Sequence, residues 1–292
     1  MFAITGITGR VGGATARALQ TNGYRVRAVV RDRAKAAPWK ISGAEVALAD
    51  FTSPAALQDA FTGVEGVFVM IPPEFDPAPF YPEARAIATA LRQALEAAAP
   101  PRIVCLSSVG AQHAAGLGLI TQLFILEREL RRLPMPRAFL RPAWFMENAL
   151  ADIASASATG VIPSYLSPLD CAIPMVATAD VGAAAADVLT QRWDGIRTIE
   201  IEGPRSYAPN DVAAALADLL ERPVRAEVVA RKTWEARFRA QGHTNPGPRI
   251  KMLDGFNSGW IAFQDQPAER MTGNTRLEAV LRPMIYGSAD AA

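Results

Sequence analysis

The residues best suited to chemistry stand at the start of the chain, where Thr5-Gly6-Ile7-Thr8-Gly9-Arg10-Val11-Gly12 sets three glycines at a GxxGxxG spacing. A glycine at the first place permits a tight turn, one at the second lets the backbone approach a phosphate, and one at the third lets a helix close on the preceding strand. The first turn of such a helix carries unpaired N–H groups and a partial positive charge, which suits an anion. The spacing counts here because an apolar run at 2–5 precedes it and a helical pattern at 11–20 follows. This context points to a dinucleotide pyrophosphate held on Gly6, Thr8, Gly9, Arg10, Val11 and Gly12.

The end of the second strand bears on which dinucleotide. An NAD site usually has an acid there for the ribose hydroxyls, and an NADP site an arginine. The chain reads Val29-Val30-Arg31-Asp32-Arg33, so Arg31 takes the acid's place and its guanidinium can fork onto a 2′-phosphate, with Arg10 as a second positive group. NADP(H) is the expectation. NAD(H) is the alternative, because Asp32 would serve as the ribose acid in a register shifted by one. Asp50, after the third strand, closes the adenine side of the pocket or simply caps its loop. Phe51, Ile71 and Pro72, at the ends of the third and fourth strands, complete this part of the expected cofactor set.

These residues need a scaffold, and the order of elements supplies one. Strand-like runs at 2–5, 24–30, 44–48, 67–71, 102–106 and 137–140 alternate with helical patterns at 11–20, from Ser53-Pro54, at 83–98 and at 118–133. The run at 67–71 is nearly all apolar, as a parallel strand buried on both faces should be. The alternation predicts an α/β fold, a doubly wound parallel Rossmann sheet of order 3-2-1-4-5-6. After Pro142 the pattern loosens into a helix at 180–189, a strand at 197–201, a helix at 210–220 and an alternating run at 224–230. Residues 1–150 are therefore expected to form the dinucleotide-binding core and 151–292 a smaller α/β substrate lobe, interleaved with the core in one compact unit.

With these residues in view, the chain resembles the atypical short-chain dehydrogenases/reductases, specifically the NmrA-like branch. The carriers are the 5–12 loop, Arg31, Asp50, Leu106-Ser107-Ser108-Val109-Gly110-Ala111, Leu140-Arg141-Pro142-Ala143-Trp144-Phe145-Met146-Glu147-Asn148 and Phe256-Asn257-Ser258-Gly259-Trp260. The resemblance implies that Pro142, Ala143, Trp144, Phe145 and Asn148 run along the nicotinamide. A capping role competes for Asn148. It implies a Ser at the end of the fifth strand, Ser107 or Ser108, that hydrogen-bonds substrate, with Ser107 also among the cofactor contacts; satisfying loop backbone is the competing role. The branch holds NADPH-dependent quinone and arylmethane-dye reductases, and also dinucleotide-binding redox sensors that engage a protein partner.

One departure narrows the chemistry. Classical members pair a Tyr and a Lys four residues apart on the helix after the fifth strand, so that the Tyr acts as general acid. Residues 117–127 contain neither, and none of the four lysines (Lys35, Lys40, Lys232, Lys251) stands four after a tyrosine. A hydride acceptor must then be electrophilic unaided, as quinones and conjugated enones are, and the protein's part is positioning. Such an acceptor asks for aromatic walls. Phe75, Phe80, Tyr81, Trp144, Phe145, Trp234, Phe238, Trp260 and Phe263 are the candidates, each with ordinary packing as its other reading. His113 is either a proton source near the site or a solvated loop residue.

Composition limits the rest. The 292 residues carry 30 basic and 29 acidic side chains and are half hydrophobic, which argues against disorder and gives no basic face for nucleic acid. Cys105 and Cys171 form no CxxC pair, so neither a disulfide framework nor a structural metal is expected. The N-terminus lacks a positive n-region and the apolar stretch at 117–126 is far short of the roughly 20 residues of a membrane span. A reduced, cytoplasmic protein with a small aromatic or quinone-like substrate is the expectation.

Overall fold

A computed structural model describes residues 1–264 and 269–287. Strands β1 (Phe2–Ile4), β2 (Val26–Val30), β3 (Glu45–Leu48), β4 (Gly66–Val69), β5 (Ile103–Leu106) and β6 (Arg137–Pro142) alternate with helices α1 (Arg10–Thr21), α2 (Ala37–Ile41), α3 (Pro54–Phe61), α4 (Pro82–Ala98) and α5 (Thr121–Leu130). Their spatial order is 3-2-1-4-5-6, all parallel, the doubly wound Rossmann arrangement. Two strands from the second half of the chain, β10 (Ile196–Glu202) and β13 (Glu269–Thr272), extend this sheet beyond β6, also in parallel. The sheet therefore has eight strands, in the order β13-β10-β6-β5-β4-β1-β2-β3.

Period-two alternation sorts the strand residues onto two faces. Ile4, Ala28, Val30, Phe68, Val104, Leu140, Ile199 and Ile201 pack with α1 and with α7 (Thr178–Thr190). Ala3, Val29, Val67, Val69, Ile103, Cys105 and Phe139 pack with α3, α4 and α5. The alanine richness has a physical use at the α1–α7 crossing. A Cβ on Gly182 would lie 2.4 Å from the Ala14 methyl, so the two helices approach to a distance only small residues allow. Helix α3 opens as its sequence suggests, with Ser53 Oγ accepting from the Ala56 N–H and Pro54 in the first turn.

The remaining elements form two small sheets around a third core. Strands β7 (Trp144–Phe145), β9 (Ile173–Val176) and β11 (Ser206–Tyr207) make one, and β8 (Val161–Ser164) pairs in parallel with β12 (Arg225–Val228). Helices α6 (Leu150–Thr159), α8 (Pro209–Leu220) and α11 (Leu277–Tyr286) share the apolar cluster of Ala156, Leu216 and Leu281. Helices α9 (Trp234–Ala240) and α10 (Gly247–Asn257) pack on a separate cluster. The run expected as strand at 24–30 begins only at Val26; Tyr24 instead sets its ring edge-on to Phe2, with centroids 5.5 Å apart.

Candidate active site

Strand order reverses between β1 and β4, which opens a crevice at their carboxyl ends. Buried Thr5 ties the crevice floor together: its Oγ1 donates to the Phe68 carbonyl and accepts from the Met70 N–H. Gly6 turns the chain with a φ of +60°, where a Cβ would strike Met70 Sδ at 2.4 Å. A Cβ on Gly12 would lie 2.4 Å from the Gly6 carbonyl oxygen and 3.0 Å from that of Thr5, so helix and strand meet backbone to backbone. At Gly9 a Cβ would meet only the Gly6 carbonyl, at 3.2 Å, and otherwise points into open space. The cradle is thus clear of side chains where a pyrophosphate would approach.

Helix α1 begins here with no side-chain cap and no acid in its first turn. The first N–H bonded back is that of Gly13, to the Gly9 carbonyl, which leaves the N–H groups of Arg10, Val11 and Gly12 for a ligand. Thr8, Gly9 and Arg10 are exposed around the opening. Beside it runs a groove of about 450 Å³ walled by Thr8, Gly9, Arg17, Lys35 and Trp39. Arg31 is exposed and makes no ion pair among the described residues. Asp32 is otherwise engaged: its carboxylate accepts from the Ala34 N–H at 2.8 Å and caps the 3₁₀ turn Arg33–Ala36. Asp50 accepts from the hydroxyl and N–H of Thr52, at 2.6 and 2.8 Å. Those bonds, with Arg31 nearby, hold its carboxyl below the ordinary range. Phe51 packs partly buried against the α3–α4 core.

Arg17 and Lys35 escape a reading by motif. Arg17 follows Arg10 and Gly13 at the i, i+3, i+7 spacing of one helix stripe, and Lys35 stands four after Arg31. Those spacings were the available signal.

On the acceptor side the hydroxyl protons of Ser107, Ser108 and Tyr81 are already committed. Ser107, 5% exposed, donates from Oγ to Glu127 Oε1 at 2.5 Å. Glu127 is buried on α5 and receives Arg141 of β6 in a two-pronged pair, Nε to Oε1 at 2.8 Å and Nη2 to Oε2 at 2.7 Å. Ser108 donates to the Val109 carbonyl and Tyr81 donates to the Gly118 carbonyl at 2.9 Å. His113 stacks on Trp260, ring centroids 4.0 Å apart, which joins the loop after β5 to the segment after α10.

The aromatic candidates divide into three groups. Trp144 meets Phe256 edge to face at 5.0 Å, with Phe145 partly buried beside it, and exposed Trp260 lies over His113. Phe75 and Phe80 project from the loop after Ile71 and Pro72 and are largely exposed; Phe263 packs partly buried against the sheet. Trp234 and Phe238 require correction. They are 2% and 0% exposed, Trp234 donates its ring N–H to the Val229 carbonyl, and Phe238 stacks on Tyr165. They form the core beneath α9 and α10, and their burial leaves no face for an acceptor.

After β6, the Pro142 carbonyl accepts from Val109 and the Ala143 N–H donates to Ile201, so these backbone groups hold the sheet together. Glu147 is buried and accepts from the Thr178 N–H at the start of α7, whereas Asn148 is exposed. Among the described residues no group of three His, Cys, Asp or Glu is arranged to hold a metal, and no helix is long and apolar enough to cross a membrane.

Comparison with known proteins gives this geometry its relatives. The chain is 27% identical to an NAD(P)H azoreductase of Xenophilus azovorans over 226 residues, 77% of this chain and 76% of that one. It is 27% identical to quinone oxidoreductase 2 of Escherichia coli strain K12 over 244 residues, 83% and 82% of the two chains. Among solved structures, an NADPH-dependent quinone oxidoreductase from Escherichia coli complexed with NADPH superposes with a TM-score of 0.79 at 24% identity, covering 98% of this chain and all of the other. The profile of the NmrA-like family matches residues 1–240, from the glycine loop through α9, and the chain belongs to that family.

Proposed function

We propose that the protein is an NADPH-dependent reductase of small, conjugated, electrophilic acceptors of the quinone or azo class, working without a side-chain proton relay. The observation that carries the reading is the commitment of Ser107, Ser108 and Tyr81 to internal acceptors, beside a glycine cradle and helix N-terminus left open. The naming of the two curated relatives as an azoreductase and a quinone oxidoreductase supports it. The neighbouring fold complexed with NADPH supports the cofactor.

The residues present fit a phosphorylated dinucleotide. The N–H groups of Arg10–Gly12 receive the pyrophosphate, Gly9 leaves room for it, and Arg31 with Lys35 and Arg17 gives the 2′-phosphate a positive surround. Asp32, occupied as a cap, does not compete as a ribose acid. When bound, the dinucleotide supplies a hydride at its nicotinamide. Trp144, Phe256 and Trp260 offer flat apolar surface against which a planar acceptor stacks and sheds water. The hydroxyl protons of Ser107, Ser108 and Tyr81 are taken, so none of the three is placed to protonate the alkoxide that a simple ketone would form. A delocalised anion takes its proton from solvent.

The test is direct. The purified protein is mixed with NADPH and a panel of naphthoquinones, azo dyes, enones and simple ketones, and nicotinamide absorbance is followed. Consumption is expected with the conjugated acceptors and not with the ketones. Saturable NADPH binding with no consumption across the panel would leave a dinucleotide-binding regulator and remove the reductase reading.

A further inference from the structure

A second cavity lies away from the glycine loop, between α5 and β10. Its volume is about 270 Å³, and Thr198 of β10 lines it together with Glu127, Arg128 and Arg131 of the α5 region, Arg141 and Gln264. Helices α3, α4 and α5 cover this face of the sheet over β4 and β5, but the face of β10 beyond α5 is polar: Thr198 and Glu200 stand where the opposite face has Ile199 and Ile201.

The charge in this cavity does not cancel. Glu127 is the acid on its wall, and both its oxygens are filled. Oε1 accepts from Ser107 and Arg141, and Oε2 from Arg141 at 2.7 Å and Arg131 at 3.1 Å. Arg141, with 4% of its side chain exposed, neutralises Glu127 in that two-pronged pair. Arg131 gives Glu127 a single contact, and its guanidinium lies over the Phe139 ring at 4.7 Å. Arg128 is exposed and makes no ion pair among the described residues. Glu200, fully buried on β10, is already met by Arg270 at 3.1 Å and by the Gln264 N–H. Two guanidinium charges are therefore left facing the cavity. Neutral donors accompany them: the Thr198 hydroxyl, and the amide N–H of Gln264, whose side-chain oxygen is taken by Arg141 at 2.9 Å.

We propose that this cavity is a binding site for a small oxyanion, a phosphate monoester or carboxylate with a short organic body, held by Arg128 and Arg131. Guanidinium groups match such oxygens two at a time. The volume exceeds what a bare phosphate fills and falls below that of a nucleotide pocket. Glu127 both walls the cavity and anchors Ser107, so the bound anion sits beside the side chain that fixes the end of β5.

The experiment is calorimetric titration of the full chain, saturated with NADPH so that the glycine loop is filled, using inorganic phosphate, glycerol phosphate and malonate as probes. Wild type is expected to bind at least one probe saturably; the phosphate and carboxylate arms show which oxyanion is preferred. Arg128→Ala and Arg128→Ala/Arg131→Gln are expected to weaken that binding roughly tenfold or more, with the NADPH affinity of each unchanged. No saturable binding of any probe to the NADPH-saturated wild type would overturn the proposal, as would undiminished binding by the Arg128 variants.

Discussion

The buried pair of Glu127 and Arg141 offers the sharpest test of how this site is held. Both side chains are nearly sealed, 3% and 4% exposed, and two short hydrogen bonds join them. Glu127→Gln keeps the shape but removes the charge. It leaves Arg141 buried without a counter-ion and places an amide N–H against a guanidinium N–H. Breaking one half of such a pair costs about 3–5 kcal/mol, a large part of the roughly 5–15 kcal/mol that holds a domain folded. The Arg131 contact adds little, since that side chain is 39% exposed. The midpoint of urea unfolding, followed by far-ultraviolet circular dichroism, reads the loss. Replacing the whole unit, Glu127→Leu with Arg141→Met and Ser107→Ala, removes both charges and the hydroxyl that would be stranded, and should be more stable than Glu127→Gln alone. A single-variant loss below about 1 kcal/mol would refute the reasoning, as would a triple variant whose loss is the sum of its parts.

Two further outcomes follow from named contacts. If Arg31 meets the 2′-phosphate as proposed, Arg31→Ala should weaken NADPH binding by an order of magnitude or more and leave NADH, which lacks that phosphate, within about twofold; equal losses in fluorescence titrations would mean that Arg31 does not face that phosphate. Burial pushes the Asp152 carboxyl on α6 from 3.8 up to about 6. The folded state then holds a proton that the unfolded chain has released, so stability falls as pH rises from about 4 to 6, by at most about 3 kcal/mol. Asp152→Asn should flatten that part of the stability–pH curve and raise stability at neutral pH, and an unchanged slope would count against it.

Much of the fold was legible because its causes are local. The strands from β1 to β6 have apolar centres bounded by turn residues, α1, α3, α4 and α5 carry their own periodicity, and the strand–helix alternation admits few other layouts; α2, five residues with none buried, carries no such signal. The glycine loop could be read for the same reason: Gly12 meets the backbone of Gly6 and Thr5, within seven residues of itself, so its role is set by neighbours in sequence, whereas the Met70 side chain that closes on Gly6 comes from far along the chain. Arg31 and Asp32 were ambiguous as a pair, and folding adds what the sequence lacked: Asp32 accepts from the Ala34 N–H, while Arg31 makes no ion pair among the described residues.

What the sequence could not show was which distant groups would meet. Trp234 and Trp260 are equally apolar on paper, and only the packing of α9 and α10 buries one at 2% and leaves the other 49% exposed. The extension of the sheet by β10 and β13 depends on parallel pairing across long stretches of chain, for which no local pattern exists. Ser107, Glu127, Arg141 and Gln264 come from four separate segments, and none has a spacing that announces the others. Sequence alone determined the elements, their order and the cradle for a dinucleotide, since short-range sterics and periodicity decide those. Tertiary structure decided where the protons and charges go, because a hydroxyl or a guanidinium takes its character from whatever folding brings within three ångströms of it.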